Sequence, residues 1–258
     1  MVEPVDDVDD PRLADYRDLR AGRPAGTGPV IVEGLLGVEA LAASSLTIRS
    51  VLATPAKVAR LPTLPAGATV LVAELDVLRA TVGFDLHRGV VASAERPPPA
   101  DPIGLLAGAR RVVVAERLND LENLGALFRN ARAFGADAVL LDPETADPLG
   151  RRPVRVSMGH VLHVPFARLA PWPAALEHVR DVGLTVVALA PAARDDLADL
   201  PERVAFVVGA EGSGLTERAL AAADRCARIP MAAGIDSVNV ATATAIALSA
   251  HFTRYGGR

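Results

Sequence analysis

The chain has 258 residues, half of them apolar and 22% charged, a globular balance with length for one large or two ordinary domains. Its single cysteine, Cys226, excludes an internal disulfide and any multi-cysteine zinc site. The net charge of −4 is concentrated at the start, where residues 1–10 carry five acids and no base; the remainder totals about +1, which neither supports nor excludes a nucleic-acid partner.

Residues 1–10, with Glu3, Asp6, Asp7, Asp9 and Asp10, read as a disordered acidic tail without the basic start or apolar core of a signal peptide. Residues 11–96 read as a small α/β domain. Strands are expected at 30–34, 48–53, 69–73 and 89–92, with helical stretches at 38–43 and 75–80. Pro97, Pro98, Pro99 and Pro102 cannot continue a helix or a central strand, so residues 97–103 form a stiff linker.

Residues 104–258 alternate more regularly. Strands are expected at 111–115, 138–141, 184–189 and 204–208, and helices at 123–134, 174–181, 216–223 and 239–254. Continuous apolar strands separated by helices predict a parallel sheet covered on both faces. The longest uncharged stretch near the C-terminus, residues 237–250, is too short to span a bilayer, and the expectation is a soluble cytoplasmic protein.

Three candidate sites lie at the C-terminal ends of expected strands, where open α/β sheets bind ligands. In the first, Leu124, Leu127, Phe128, Ala131 and Phe134 follow helical spacing, and Arg129 projects away from that stripe. Arg129 is then either a solvated helical arginine or a ligand contact. The second, Gly209 to Leu215, places three glycines between a strand and a helix, where a ligand can approach the backbone. Its spacing fits neither a dinucleotide fingerprint nor a phosphate loop, and Glu211 within it is unexplained by a simple tight turn. The third runs from Ile229 to Val240 and delivers Ser237 and Asn239 to the start of a small-residue helix, with Ser237 also a plausible N-cap.

Other residues carry less. His160 and His163 fall in a strand-like run whose spacing puts their rings on opposite faces, a poor metal pair. Cys226 reads as a buried small apolar residue. Arg151, Arg152 and Arg155 form the densest basic cluster, either a solvated loop or a phosphate contact.

In this order and spacing, the motifs resemble the SpoU (TrmH-type) branch of the SPOUT methyltransferases. The first is Asn123-x-Gly125-x-x-x-Arg129 and the second Gly209-x-Glu211-Gly212-x-Gly214-Leu215. The third is Ile229-Pro230-Met231 followed by Ser237-x-Asn239-Val240. The segment from Arg155 to Gly159 is similar to the family's stretch between the first two. Glu122 stands where the family has proline, and Val238 where it has leucine. The first domain is similar to the family's ribosomal-protein-like RNA-binding domain. The resemblance implies an α/β protein whose C-terminal trefoil-knotted SPOUT domain has a parallel sheet and follows a small substrate-binding domain. It also implies methyl transfer from S-adenosylmethionine, without a metal, to a ribose 2′-hydroxyl of structured RNA, and a homodimer formed through the knotted domain. Ribosomal RNA is favoured over transfer RNA only by the two-domain build.

The resemblance assigns catalytic roles to Asn123, Arg129, Glu211, Ser237 and Asn239, and donor binding to Leu189, Gly209, Ile229, Met231 and Val238. It assigns RNA contacts to Arg88, Arg129 and Arg155. Deprotonating a guanidinium at neutral pH costs roughly 7 kcal/mol, more than the roughly 3–5 kcal/mol that general base catalysis contributes. Arg129 is therefore expected to act as a cation on phosphate and developing alkoxide, with Glu211 ordering Arg129 or Asn123. The alternatives are a non-catalytic RNA-binding or ribosome-assembly protein of the same fold, and a nucleotide-dependent oxidoreductase, which the missing glycine fingerprint disfavours.

Overall fold

The computed structural model describes residues 1–21, 24–86 and 88–256. They divide into two compact units, residues 1–98 with 147–163, and residues 99–146 with 164–256.

In the first unit, β1 (Val2–Pro4), β2 (Val30–Glu33), β3 (Ile48–Ala53), β4 (Thr69–Val72) and β5 (Val90–Ala94) form one mixed sheet in the order β1-β4-β3-β5-β2. β1 and β3 run parallel to β4, whereas β5 is antiparallel to both β2 and β3. The helices are α1 (Leu35–Ala42), α2 (Pro55–Val58) and α3 (Leu75–Val82). Leu13, Tyr16, Leu52, Leu71, Leu78 and Val91 fill the core. The buried Tyr16 hydroxyl is satisfied by Ser50 Oγ at 2.7 Å.

The expectation of a disordered tail is corrected here. Val2–Pro4 pairs with Val70–Val72, and Asp10 caps the 3-10 turn Pro11–Tyr16. Arg12 bonds both Glu3 and Asp10 at 2.7 and 2.6 Å and holds the Asp10 carboxyl down at about 2. Ladder hydrogen bonds and one arginine thus order a segment whose composition alone reads as unfolded.

The domain boundary also differs from the expected 104–258. Residues 147–163 pack with the first unit, although they lie within the span assigned to the second domain. There α6 (Arg151–Val156) packs against β2 and brings Arg151 and Arg155 to the buried Glu33 carboxylate at 3.0 and 3.7 Å. Arg151 also stacks on Phe84, 4.4 Å from the ring centre. Arg96 and Asp147 pair at 3.0 Å. His160 and His163 lie in a 3-10 turn rather than a strand, and an interval of three in that helix puts side chains on one face, not opposite ones.

The second unit is built on a six-stranded, wholly parallel sheet. Its strands are β6 (Arg111–Glu116), β7 (Ala138–Leu141), β8 (Phe166–Arg168), β9 (Thr185–Leu189), β10 (Val204–Gly209) and β11 (Arg225–Ala227). Their order is β11-β9-β10-β6-β7-β8. The helices are α4 (Pro102–Leu106), α5 (Leu121–Ala133), α7 (Leu176–Asp181), α8 (Glu217–Ala221) and α9 (Val240–Tyr255). Alternation along the strands divides the core: Val112, Val114, Ala205 and Val207 join Leu106, Leu176 and Val179 of α4 and α7. Phe206 points the other way, edge-on to His251 of α9, and α9 lies along α5. Both faces are therefore covered, which explains the continuous apolar runs.

Under α9 sits a buried polar cluster. Arg111 Nε donates to His251 Nδ1 at 2.9 Å, and its NH1 group donates to the carbonyls of Phe134 and Gly135. The His251 proton therefore resides on Nε2, which faces the carbonyls of Pro201 and Glu202 at 3.1 and 3.0 Å. Burial, and next the charge of Arg111, lower the His251 pKa below its ordinary value. Cys226 is half-buried at the edge strand β11 rather than fully inside. Among the described residues no helix is long and apolar enough to cross a membrane.

Candidate active site

The site lies at the C-terminal ends of β9, β10 and β11. β10 ends at Gly209, and the chain folds straight back on it. Gly214 N donates to Ala210 O at 2.9 Å, and a Cβ on Gly209 would overlap the backbone of Gly214 and Leu215. The glycine is thus required first by the chain's own close approach. Gly212 and Gly214, at φ +81° and +63°, complete the turn before Thr216 caps α8.

This closed loop forms one wall of a cavity of about 680 Å³. The walls include Leu189, Gly209, Ile229, Met231 and Val238, all five residues expected to meet a methyl donor. Glu211, Ser237 and Asn239 line it as well. The volume falls within the roughly 300–1,000 Å³ of small-molecule pockets.

Asn239 organises the polar side. It caps α9, its Oδ1 accepting from the backbone N–H groups of Ala241 and Thr242 at 2.9 and 3.2 Å. Ser237, the other candidate for the cap, lies two residues earlier and does not fill that role. Because Oδ1 faces two donors, Nδ2 must point outward, where it donates to Asn123 Oδ1 at 2.7 Å and to Glu211 Oε1 at 2.5 Å. One amide therefore ties together all three motifs, which are separated by up to 116 residues in sequence. Glu211 and Asn123 are both held by Asn239 Nδ2, so the two side chains are tied together through that amide.

Asn123 is buried on the first turn of α5, where Asp120 caps the helix. Arg129, about 1.7 turns on, is exposed and forms no hydrogen bond or ion pair with the described residues. Arg88 and Arg155 belong to the first unit. Arg88 is exposed and lies over Gly34, and Arg155 faces Glu33. Among the described residues no group of three or more metal-ligating side chains converges.

Glu116 is the residue that sequence reasoning missed. It ends β6 beside Gly209 in the sheet register and is almost wholly buried. Its carboxylate accepts from Trp172 Nε1 at 2.6 Å, Thr216 Oγ1 at 2.7 Å and Thr216 N at 2.8 Å. The available signal was an acid directly after the apolar run from Val112 to Ala115.

Residues 110–249 match the family model described as the SpoU rRNA Methylase family. An uncharacterized tRNA/rRNA methyltransferase of Mycobacterium bovis is 45% identical over 261 residues, 95% of this chain and 90% of that protein. The 23S rRNA (guanosine-2′-O-)-methyltransferase RlmB of Ralstonia nicotianae is 31% identical over 189 residues, 71% of this chain and 76% of that one. Among solved structures, the AdoMet-bound rRNA methyltransferase from Sinorhizobium meliloti superposes with a TM-score of 0.79 at 29% identity, covering 98% of both chains. The fold is that of an RNA methyltransferase. The chain belongs to the SpoU rRNA methylase family.

Proposed function

We propose that this protein transfers a methyl group from S-adenosylmethionine to a ribose 2′-hydroxyl of structured RNA, with ribosomal RNA as the substrate class. The observation that carries the reading is the meeting of Asn123 with Glu211 and Asn239, the last two of which line a glycine-walled cavity. The named activity of the Ralstonia relative and the ligand of the Sinorhizobium structure support it.

The cavity suits the donor. Apolar walls at Leu189, Ile229, Met231 and Val238 suit its uncharged portions, and backbone groups at Gly209 give it hydrogen bonds. The described lining residues include two carboxylates, Glu211 and Asp236, and no cation, a setting for positively charged sulfur. When bound, S-adenosylmethionine supplies an electrophilic methyl group.

The chain's own contribution is positioning. Asn239 fixes Glu211 and Asn123, Ser237 lies beside it, and together they orient the ribose. Arg129, free of protein partners among the described residues, holds the neighbouring phosphate through its planar fork and stabilises charge developing on the 2′-oxygen. Arg88 and Arg155 extend the RNA contact on the first unit. With one lysine among 27 basic residues and 3% aromatics, recognition rests on arginine and RNA shape. The reading includes the trefoil knot, a homodimer through the second unit and a cytoplasmic location.

The test is transfer of labelled methyl from S-adenosylmethionine to RNA from cells lacking the protein, followed by mapping of 2′-O-methyl positions. One labelled ribosomal site, lost in Arg129→Ala, is expected. A transfer-RNA site would change the substrate class, and label on a base would refute ribose methylation.

A further inference from the structure

We infer that Glu116 is a positioning residue that holds the donor loop closed and carries its state to Trp172, an inference that rests on the donor-site reading above. Three donors converge on its two oxygens. Oε1 accepts from both the Trp172 indole and the Thr216 hydroxyl, and Oε2 accepts from the Thr216 main chain.

The placement gives these bonds their consequence. Glu116 pairs with Gly209 across the sheet, so it stands where the loop leaves β10. Through Thr216 it also grips the residue at which the loop ends. The six residues between form a ring pinned at both ends beside one buried carboxylate. Glu211 is the second of those six and bonds Asn239, so the ring's position sets where that carboxylate stands. Glu116 itself lines no part of the cavity and acts only through the loop.

All three partners are donors, which selects an acceptor-only group. A glutamine amide would place its NH2 against either the Thr216 N–H or the Trp172 N–H, and one buried donor would lose its partner whichever way it turned. Trp172 is the chain's single tryptophan, so its emission isolates this point in the molecule.

The experiment uses the full chain and S-adenosylhomocysteine, with binding followed by calorimetry and by Trp172 fluorescence. In Glu116→Gln the dissociation constant should rise at least about tenfold, as expected for losing a charge-assisted hydrogen bond. The turnover number at saturating donor falls as well, because the ring also sets where Glu211 stands, so affinity and the Trp172 signal are the deciding readouts. The native protein's Trp172 emission should change on saturation, and that change should vanish in the variant. Affinity within twofold of native, or turnover falling with affinity unchanged, overturns the inference. If circular dichroism shows Glu116→Gln unfolded, Thr216→Val carries the test: it keeps the main-chain bond and should bind about threefold more weakly, with Thr216→Ser restoring native affinity. Equal affinity in Thr216→Val then overturns it. A native protein that binds no S-adenosylhomocysteine overturns the donor-site reading itself, whereas a variant matching a native protein that binds overturns this inference alone.

Discussion

Asn239→Asp separates the two jobs that one side chain performs. The exchange preserves size and leaves an oxygen facing Ala241 N and Thr242 N, so the cap on α9 survives. It replaces the outward donor with an acceptor opposite Asn123 Oδ1 and Glu211 Oε1. Each lost bond is worth about 1 kcal/mol, taking the low end for the charged Glu211 because that pair is exposed. Two carboxylates about 3 Å apart in a water-like dielectric add about 1.4 kcal/mol of repulsion. Against this, negative charge at a helix N-terminus returns about 0.3–1 kcal/mol. The balance is a destabilisation of about 2.4–3.1 kcal/mol, or a melting-temperature drop of about 5–12 °C for a chain of this size. If the cluster orients the ribose, the same energy removed from the transition state slows methyl transfer about 100-fold. Calorimetric melting and a labelled-methyl assay on one preparation measure both. Asn239→Ser, which keeps a capping oxygen without adding charge, should melt nearer the native protein yet lose comparable activity. Transfer within threefold of native in both variants would show that the three motifs need no link through Asn239.

Gly209→Ala should weaken S-adenosylhomocysteine binding at least about tenfold, since the added carbon must displace the Gly214–Leu215 backbone that walls the cavity; unchanged calorimetric affinity would refute that account. Arg129→Lys should lower kcat/KM for RNA by about tenfold or more with donor affinity unchanged, because an ammonium cannot reproduce a planar fork on phosphate. Near-full activity would show that charge alone suffices. His251 predicts a pH effect. Its folded pKa lies below the ordinary 6.5, so its contribution to stability is present above that pH and is lost as the pH falls, by up to about 1.4 kcal/mol per unit. Urea unfolding at pH 7.5 and 5.5 should show this loss in the native protein and a smaller one in His251→Gln, and equal losses would contradict the buried neutral ring.

Much of this architecture was legible in sequence because it rests on local pattern. The run from Ala138 to Leu141 and that from Ile48 to Ala53 coincide with strands, since apolar residues there are bounded by turn chemistry. Short edge strands were not legible. β1, β8 and β11 have three residues each, too few for a period, and exist because a neighbouring strand offers unpaired backbone groups. The turn at His160–His163 misled for a related reason, as a four-residue run with two apolar residues does not distinguish extended from coiled backbone. In the site, each motif was visible, but the bond order among them was not. Two capping residue types stand two positions apart, and only the fold shows that Asn239 caps α9 and reaches Glu211. Glu116 stayed hidden because its partner Thr216 is 100 residues away.

The chain passes between its two units three times, at residues 98/99, 146/147 and 163/164. The proline run looks like a place to cut, and a fragment ending there would hold every strand of the first sheet. It would also lack α6, leaving Glu33 without either of its arginines and Phe84 without the guanidinium stacked on it. Removing the partners of a buried charge typically costs about 3–5 kcal/mol, a large share of what keeps a domain of that size folded. The first unit is therefore discontinuous along the polypeptide, and its full set of contacts is complete only once synthesis has passed residue 163, well into the chain that builds the other sheet.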